Sequence, residues 1–315
     1  MNTFAKISIK LAALAIVATS SSPAHAYTSD AFIKRTAAFA ELANTAYCPD
    51  IAHMKELDID GKLFEREDDW STTEIHAYRR VAGSTHHLVI NFCGTRTNTL
   101  SGIGDVLLDL QGATIPKKSR NGWLGGTATN PWGVGGGFEQ RVNNYLSHEG
   151  SGLRDYLEAR NTVGGKTVIH TIGHSLGGVS SQIASYYMAQ FLRDKSYQPD
   201  KFHIYNFAFN SPQGVGKKFQ EAIATEANSG SYLTPYSFVV ERDAVSTWAT
   251  SYMHSAVGPG IGYDAEARFR PLEDRPASIE NHLLGEARIN QILNANAWPS
   301  GVASSMAAKY LPGCI

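Results

Sequence analysis

The pentapeptide Gly173-His174-Ser175-Leu176-Gly177 constrains this chain more than any other stretch. It fits Gly-x-Ser-x-Gly, a sharp strand-to-helix turn that holds a serine hydroxyl at its tip. The flanks have the order that such a turn needs. Residues 166–172, Lys-Thr-Val-Ile-His-Thr-Ile, are β-branched and apolar, as in a central strand. Val179, Ile183, Tyr187 and Phe191 then recur at helical spacing on one face. Gly173 and Gly177 stand where a Cβ is expected to collide with the neighbouring strand or helix.

A chain of 315 residues is long enough for one large α/β domain or two small ones. Its formal net charge of −1 argues against a nucleic-acid partner. The first residues read as a processing segment: Lys6 and Lys10, a short apolar run over 11–18, and an Ala24-His25-Ala26 cleavage site. That run is too short to cross a bilayer as a mature helix. We therefore read 1–26 as a removed signal peptide and 27–315 as one exported domain, periplasmic or extracellular, without a transmembrane segment. Export makes disulfides permissible. Cys93 lies in an apolar strand and reads as a buried free thiol, which leaves Cys48 to pair with Cys314. A loop that long contributes roughly 5 kcal/mol by chain entropy, less any strain.

Along the mature chain, 31–47 reads as a helix with Phe32, Ala38, Leu42 and Tyr47 inward, and 51–70 as loop with short pieces. An outer strand is expected at 75–81, a turn at 82–84 and a central strand at 87–93. Residues 111–137, rich in Gly, Asn, Thr and Pro, read as a long surface loop carrying Trp123, Leu124 and Trp132. Helices are expected over 138–157, 218–227 and 283–293, and strands over 202–209 and 236–240. The alternation implies an α/β fold, a mostly parallel sheet with helices on both faces. Sites on such sheets lie at the carboxyl ends of the strands, where Thr95, Ser175 and Asp243 all fall.

A serine hydroxyl needs a base to take its proton and an acid to orient that base. On this kind of turn the chain order is Ser, then Asp or Glu, then His. The histidines after Ser175 are His203, His254 and His282. His203 lies within a strand and reads as a packed ring; His254 is possible but cramped behind Asp243; His282 stands at the entrance of the last expected helix and is preferred. Asp243 directly follows an apolar strand, whereas Asp200, Asp264 and Asp274 lie in polar loops and read as solvated charges. Negative charge on a carbonyl oxygen needs fixed donors, each worth about 3–4 kcal/mol. The candidates are the N–H of Leu176 and the N–H and hydroxyl of Thr95, on the turn after an adjacent strand. His170 and His174 are four apart, but on a strand and its turn that spacing does not bring two ligands together. Neither a metal nor a cofactor is expected.

These segments together resemble the class 3 lipases, the fungal-lipase-like branch of the α/β-hydrolases. The likeness runs from about the first helix to His282. Gly173-His-Ser-Leu-Gly-Gly178 matches the family's G-H-S-L-G-G, and Phe92-Cys-Gly-Thr95 resembles its F-R-G-[TS] turn, with Cys93 where arginine is usual. Thr45-Ala-Tyr-Cys48 resembles the end of its first helix. Asn210-Ser-Pro-Gln-Gly-Val-Gly216 resembles its G-x-P-R-V-G turn in altered form. Glu241-Arg-Asp-Ala-Val245 and Asn281-His-Leu-Leu284 resemble the segments of its acid and its histidine. The resemblance implies a triad of Ser175, Asp243 and His282, an oxyanion hole of Thr95 and Leu176, and a lid near 97–104 with Leu100 and Ile103, which the loop to 137 extends.

The expectation is a secreted serine lipase or esterase that forms an acyl-enzyme on Ser175 and works at a lipid–water interface touched by Trp123, Leu124 and Trp132. A phospholipase A1, a cinnamoyl-type esterase, a serine peptidase and a catalytically silent binding protein on the same fold are the rivals.

Overall fold

The computed structural model describes residues 28–45, 54–59, 61–94, 119–120, 123, 129–130, 134, 136–149, 151–212, 215, 217–229, 232–241, 243, 245, 266–272 and 279–310. The chain opens with helix α1, Ser29–Thr45. Four strands follow: β1 Glu56–Ile59, β2 Lys62–Arg66, β3 Ile75–Ala82 and β4 Thr85–Phe92. Two short strands, β5 Ser119–Arg120 and β6 Thr129–Asn130, form a small separate ribbon. Helix α2, Gly136–Asn144, runs through a π-helical turn, Tyr145–Glu149, towards α3, Ser151–Thr162. Then come β7 Thr167–His174, α4 Leu176–Asp194, β8 Phe202–Phe209, α5 Lys217–Asn228 and β9 Leu233–Val240. The chain closes with β10 Glu266–Phe269, the short helix α6 Ile279–His282, α7 Glu286–Leu293 and α8 Val302–Lys309.

The main sheet has eight strands in the order β1-β2-β3-β4-β7-β8-β9-β10. From β4 to β10 every neighbour is parallel, while β1 to β4 pair antiparallel. This is an α/β-hydrolase sheet, mostly parallel and wrapped by helices. Parallel strands covered on both faces bury the side chains of both, and all eight residues of β7 are buried, its histidines and Thr171 hydrogen-bonded.

The sheet divides two cores. Ile75, Leu88, Ile90, Ile169 and Ile204 face α2 to α5, with Val179, Ile183, Tyr187 and Phe191 packed on them. Val89, Val168, Ile172, Phe207 and Phe238 face the other way, under Phe32, Phe39 and Leu42 of α1 and Trp298 and Met306 near the C-terminus. Alternate residues of one strand thus feed opposite cores, as the two-residue period requires.

Several expectations need correction. Residues 51–70 contain β1 and β2, joined by a two-residue hairpin in which Ile59 faces Lys62. The Asp60-Gly61 dipeptide is the strongest short signal for such a turn, and Gly61 has φ +70. Charges on one face of the ribbon hid the alternation of Leu57, Ile59 and Phe64 on the other. β3 is not an outer strand: β2 pairs on its far side. The helix expected over 138–157 is broken by the π-helical turn, and the one over 283–293 begins only at Glu286, behind a separate short helix that His282 closes. β10 and α8 were not foreseen. Cys93 is a buried thiol outside any disulfide; Cys48 and Cys314 lie outside the described residues.

Candidate active site

Ser175 stands between β7 and α4 with φ 55 and ψ −126, a backbone region that L-residues rarely occupy. Its N–H donates to the carbonyl of Phe209 at 2.9 Å, which extends the β7–β8 ladder by one residue and pins the turn from the neighbouring strand. Its carbonyl accepts from Gly178 N at 2.9 Å and Val179 N at 3.3 Å, starting the helix at once. The flanking glycines are dictated by space. A Cβ on Gly173 would strike the carbonyl of Gly177 and lie 2.7 Å from Gly178 N. A Cβ on Gly177 would strike the carbonyl of Phe92 and lie 2.9 Å from the carbonyl of Cys93, at the end of β4. The expected collisions are therefore what a side chain would meet, because the end of β4 lies against the first turn of α4.

A buried polar cluster seats the helix. Asn206 Nδ2 donates to Ser181 Oγ at 2.9 Å and to Thr171 Oγ1 at 3.1 Å, and Thr171 Oγ1 lies 2.6 Å from Ser185 Oγ. Side chains of β7, β8 and α4 are thus locked in one register beneath the elbow.

The structure brings Asp243 and His282 together. Nδ1 of His282 lies 3.0 Å from Oδ2 of Asp243, and both side chains are buried. Oδ1 of Asp243 accepts the Val245 N–H at 2.9 Å. Arg288 of α7 is a buried cation, its guanidinium lowered to about 10 by burial against the opposing pull of the Asp243 carboxylate.

His174, next to the serine, reaches the same histidine. Its ring centroid lies 4.7 Å from that of His282, and its Nε2 is 2.7 Å from the His282 carbonyl. Burial first, and the His282 ring second, hold His174 well below the usual imidazole range. It is therefore neutral, and its Nε2 carries the proton donated to that carbonyl. Two buried atoms of this group have no hydrogen-bond partner among the described residues: Ser175 Oγ and His282 Nε2. A buried hydroxyl and a buried ring nitrogen without partners are unusual in a protein interior.

Leu176 opens α4, so its N–H is one of the first-turn donors that the helix itself does not use. Thr95 and the expected lid at 97–104 lie outside the described residues, as do His254, Asp264, Asp274, Leu124 and Trp132. The turn before Thr95 is held from an unforeseen direction. Arg141 of α2 donates from Nη2 to the Cys93 carbonyl at 2.8 Å and pairs through Nε with Glu74 at 3.0 Å.

His203 is a packed ring, 4.4 Å from that of Tyr205 and hydrogen-bonded to Thr234 at 2.9 Å. Asp200 is exposed on a turn. His170 points into the second core, where its Nε2 meets the Tyr310 hydroxyl at 2.6 Å. Trp123 departs from the expectation: it is buried, edge-on to Phe191 at 5.0 Å, and is part of the core rather than an interfacial contact. A large aromatic in a glycine-rich loop pays no heed to the loop's polarity once a helix offers it an apolar wall. The side chains that sequence reasoning missed are His174, Asn210 and Arg141. His174 lies inside the pentapeptide itself; the other two have no local signal, since their partners are far along the chain.

Among the described residues no helix is long and apolar enough to cross a membrane. The family described as Lipase (class 3) matches residues 106–253. Among solved structures, M37 lipase aligns at a TM-score of 0.52 and 12% identity, over 92% of this chain and 100% of that one. A triacylglycerol lipase from Penicillium expansum aligns at 0.48 and 16%, over 81% and 82%. A Rhizomucor miehei lipase propeptide complex aligns at 0.46 and 16%, over 78% and 70%. No curated protein matches the sequence. The match over residues 106–253, together with this α/β-hydrolase fold, supports a class 3 lipase assignment and with it a lipolytic hydrolase.

Proposed function

We propose that the protein is an exported serine lipase that hydrolyses carboxylic esters of lipids through an acyl-enzyme on Ser175. One observation supports this above the others: His282 is bonded to Asp243 through Nδ1 at 3.0 Å and leaves its Nε2 open, as Ser175 leaves its Oγ open. In this reading His282 Nε2 takes the Oγ proton as Oγ bonds to the ester carbonyl carbon. Asp243 holds the ring by its Nδ1–H and stabilises the imidazolium that forms. The oxygen turned anionic is met by the N–H of Leu176 and by Thr95. His282 then gives the proton to the departing alcohol or lysolipid. Water repeats the cycle in reverse, and the acid leaves. Binding an ester and expelling water would also bring Ser175 and His282 to bonding distance.

Residues 1–26 act as an export leader in this proposal, and 27–315 form a single domain. Triacylglycerol is the first substrate to test, and phospholipid the second. The reading is tested by a fluorophosphonate probe and by fatty-acid release from emulsified triacylglycerol, phospholipid vesicles and a soluble short ester. Labelling and release should both vanish in Ser175→Ala. Persistence of either in that variant would remove the proposal, and turnover of phospholipid alone would make the protein a phospholipase A1.

A further inference from the structure

Asn210 follows the last residue of β8 with φ +44 and is buried. Asparagine is one of the few residues with a side chain that tolerates this left-handed backbone. Here the side chain has a use as well. Its Oδ1 accepts the N–H of Val240 at 3.0 Å, and its Nδ2 donates to the carbonyl of His282 at 2.8 Å, with a longer contact to the carbonyl of Asn281 at 3.4 Å. The partners settle the orientation of the amide, because a backbone N–H only donates and a carbonyl only accepts. Val240 ends β9, and its own carbonyl takes the Asp243 N–H at 3.2 Å. The backbone N–H of Asn210 donates to Phe238, also on β9, at 2.8 Å. One planar amide therefore spans the strand end that carries Asp243 and the short helix that carries His282.

His282 is otherwise presented by a helix of only four residues, Ile279–His282, too short to hold itself rigid. Its carbonyl is gripped twice, by His174 Nε2 from β7 at 2.7 Å and by Asn210 Nδ2 from β8 at 2.8 Å. Each donor comes from the carboxyl end of a different parallel strand, so the grip is as rigid as the sheet. A glycine, which the resembled turn carries at this place, could adopt the backbone but could not span the two segments.

We infer that Asn210 is a positioning residue, which sets the spacing between Asp243 and His282 and aims the open Nε2 of His282 at Ser175. The inference rests on the esterase reading above. Among the described residues, the charged and titratable groups around His282 are Asp243 from the β9 end, the neutral His174 from β7, and Arg288 from α7, which acts through Asp243.

Two variants separate positioning from folding. Asn210→Gly keeps the backbone conformation and loses both ends of the bridge. Asn210→Asp keeps an oxygen for the Val240 N–H and removes the donor to His282. On a soluble ester, kcat is expected to fall about tenfold to a hundredfold in both, with KM within about twofold. In Asn210→Asp the new carboxylate favours the imidazolium, so the acid limb of the kcat profile moves to higher pH. Equal losses in kcat and thermal midpoint, with KM raised and the acid limb unmoved, would make Asn210 a folding residue and overturn the inference. So would two variants with kcat within about twofold of the parent. If Ser175→Ala keeps its turnover, the esterase reading itself fails, whatever Asn210 does.

Discussion

Nδ1 of His282 lies 3.0 Å from Oδ2 of Asp243, in a pair fully enclosed by protein. The other carboxylate oxygen takes the Val245 N–H at 2.9 Å, so the acid has a protein donor on each side. Asp243→Asn should preserve the shape of the pair but offer the histidine the wrong hydrogen-bond pattern. With the proposed mechanism, kcat on a soluble ester falls by about four orders of magnitude. The circular dichroism spectrum should be retained. A loss under tenfold in a folded variant would show that Asp243 does not orient the base.

The elbow leaves no room at Gly177, where a Cβ would collide with the carbonyls at the end of β4. Backbone cannot step aside as a side chain can, so Gly177→Ala should cost more than about 3 kcal/mol or prevent folding. Gly285→Ala is the control, since nothing lies within 4 Å of a Cβ there. Urea midpoints of the two variants should differ widely; similar midpoints would show that the elbow can relax.

Stability should decline on the acid side of neutrality. His87, buried on β4, is lowered to about 4, by burial first and then by the cations Arg80 and Arg35. His170 and His174 are also held well below the ordinary range, with burial the first cause of each. A histidine whose folded value is depressed stabilises the fold fully above the unfolded value of about 6.5. That stabilisation is lost as pH falls from there towards about 4, because the unfolded chain then binds more protons. The urea midpoint should drop over this range. His87→Gln, which cannot protonate, should narrow the difference between pH 7 and pH 4.5; an unchanged difference would exclude His87 as a source.

Arg141 holds the carbonyl of Cys93 at 2.8 Å, a carbonyl otherwise buried at the end of β4. Arg141→Met keeps much of the stem and leaves that acceptor and Glu74 without the guanidinium. A loss of about 1–3 kcal/mol in urea unfolding is expected. Arg141→Lys should recover part of it, since one ammonium cannot reproduce the fork. Equal losses for the two would mean that stem packing, not the carbonyl, carries the effect.

Much of the parallel sheet was legible because burial on both faces forces long apolar runs: β8 stands on its expected bounds and β7 within two residues of them. The β1–β2 ribbon was not, because its charged face broke up the apolar pattern that marks a strand, although Asp60-Gly61 announced a turn. Trp123 was misjudged for the opposite reason: a loop's composition says nothing about which helix its one large ring will lie against.

The sequence alone determined the turn at Ser175, because the crowding of Gly173 against Gly177 and the unusual backbone of Ser175 are local properties of a strand meeting a helix. It also narrowed the candidates for an acid and a base to a few side chains by their order along the chain. Only the tertiary structure decided that Asp243 and His282 meet, and that Asn210, His174 and Arg141 grip the segments around them. Those bonds join groups that lie tens to more than a hundred residues apart, and such pairings depend on the stacking order of the strands, which no local pattern of residues encodes.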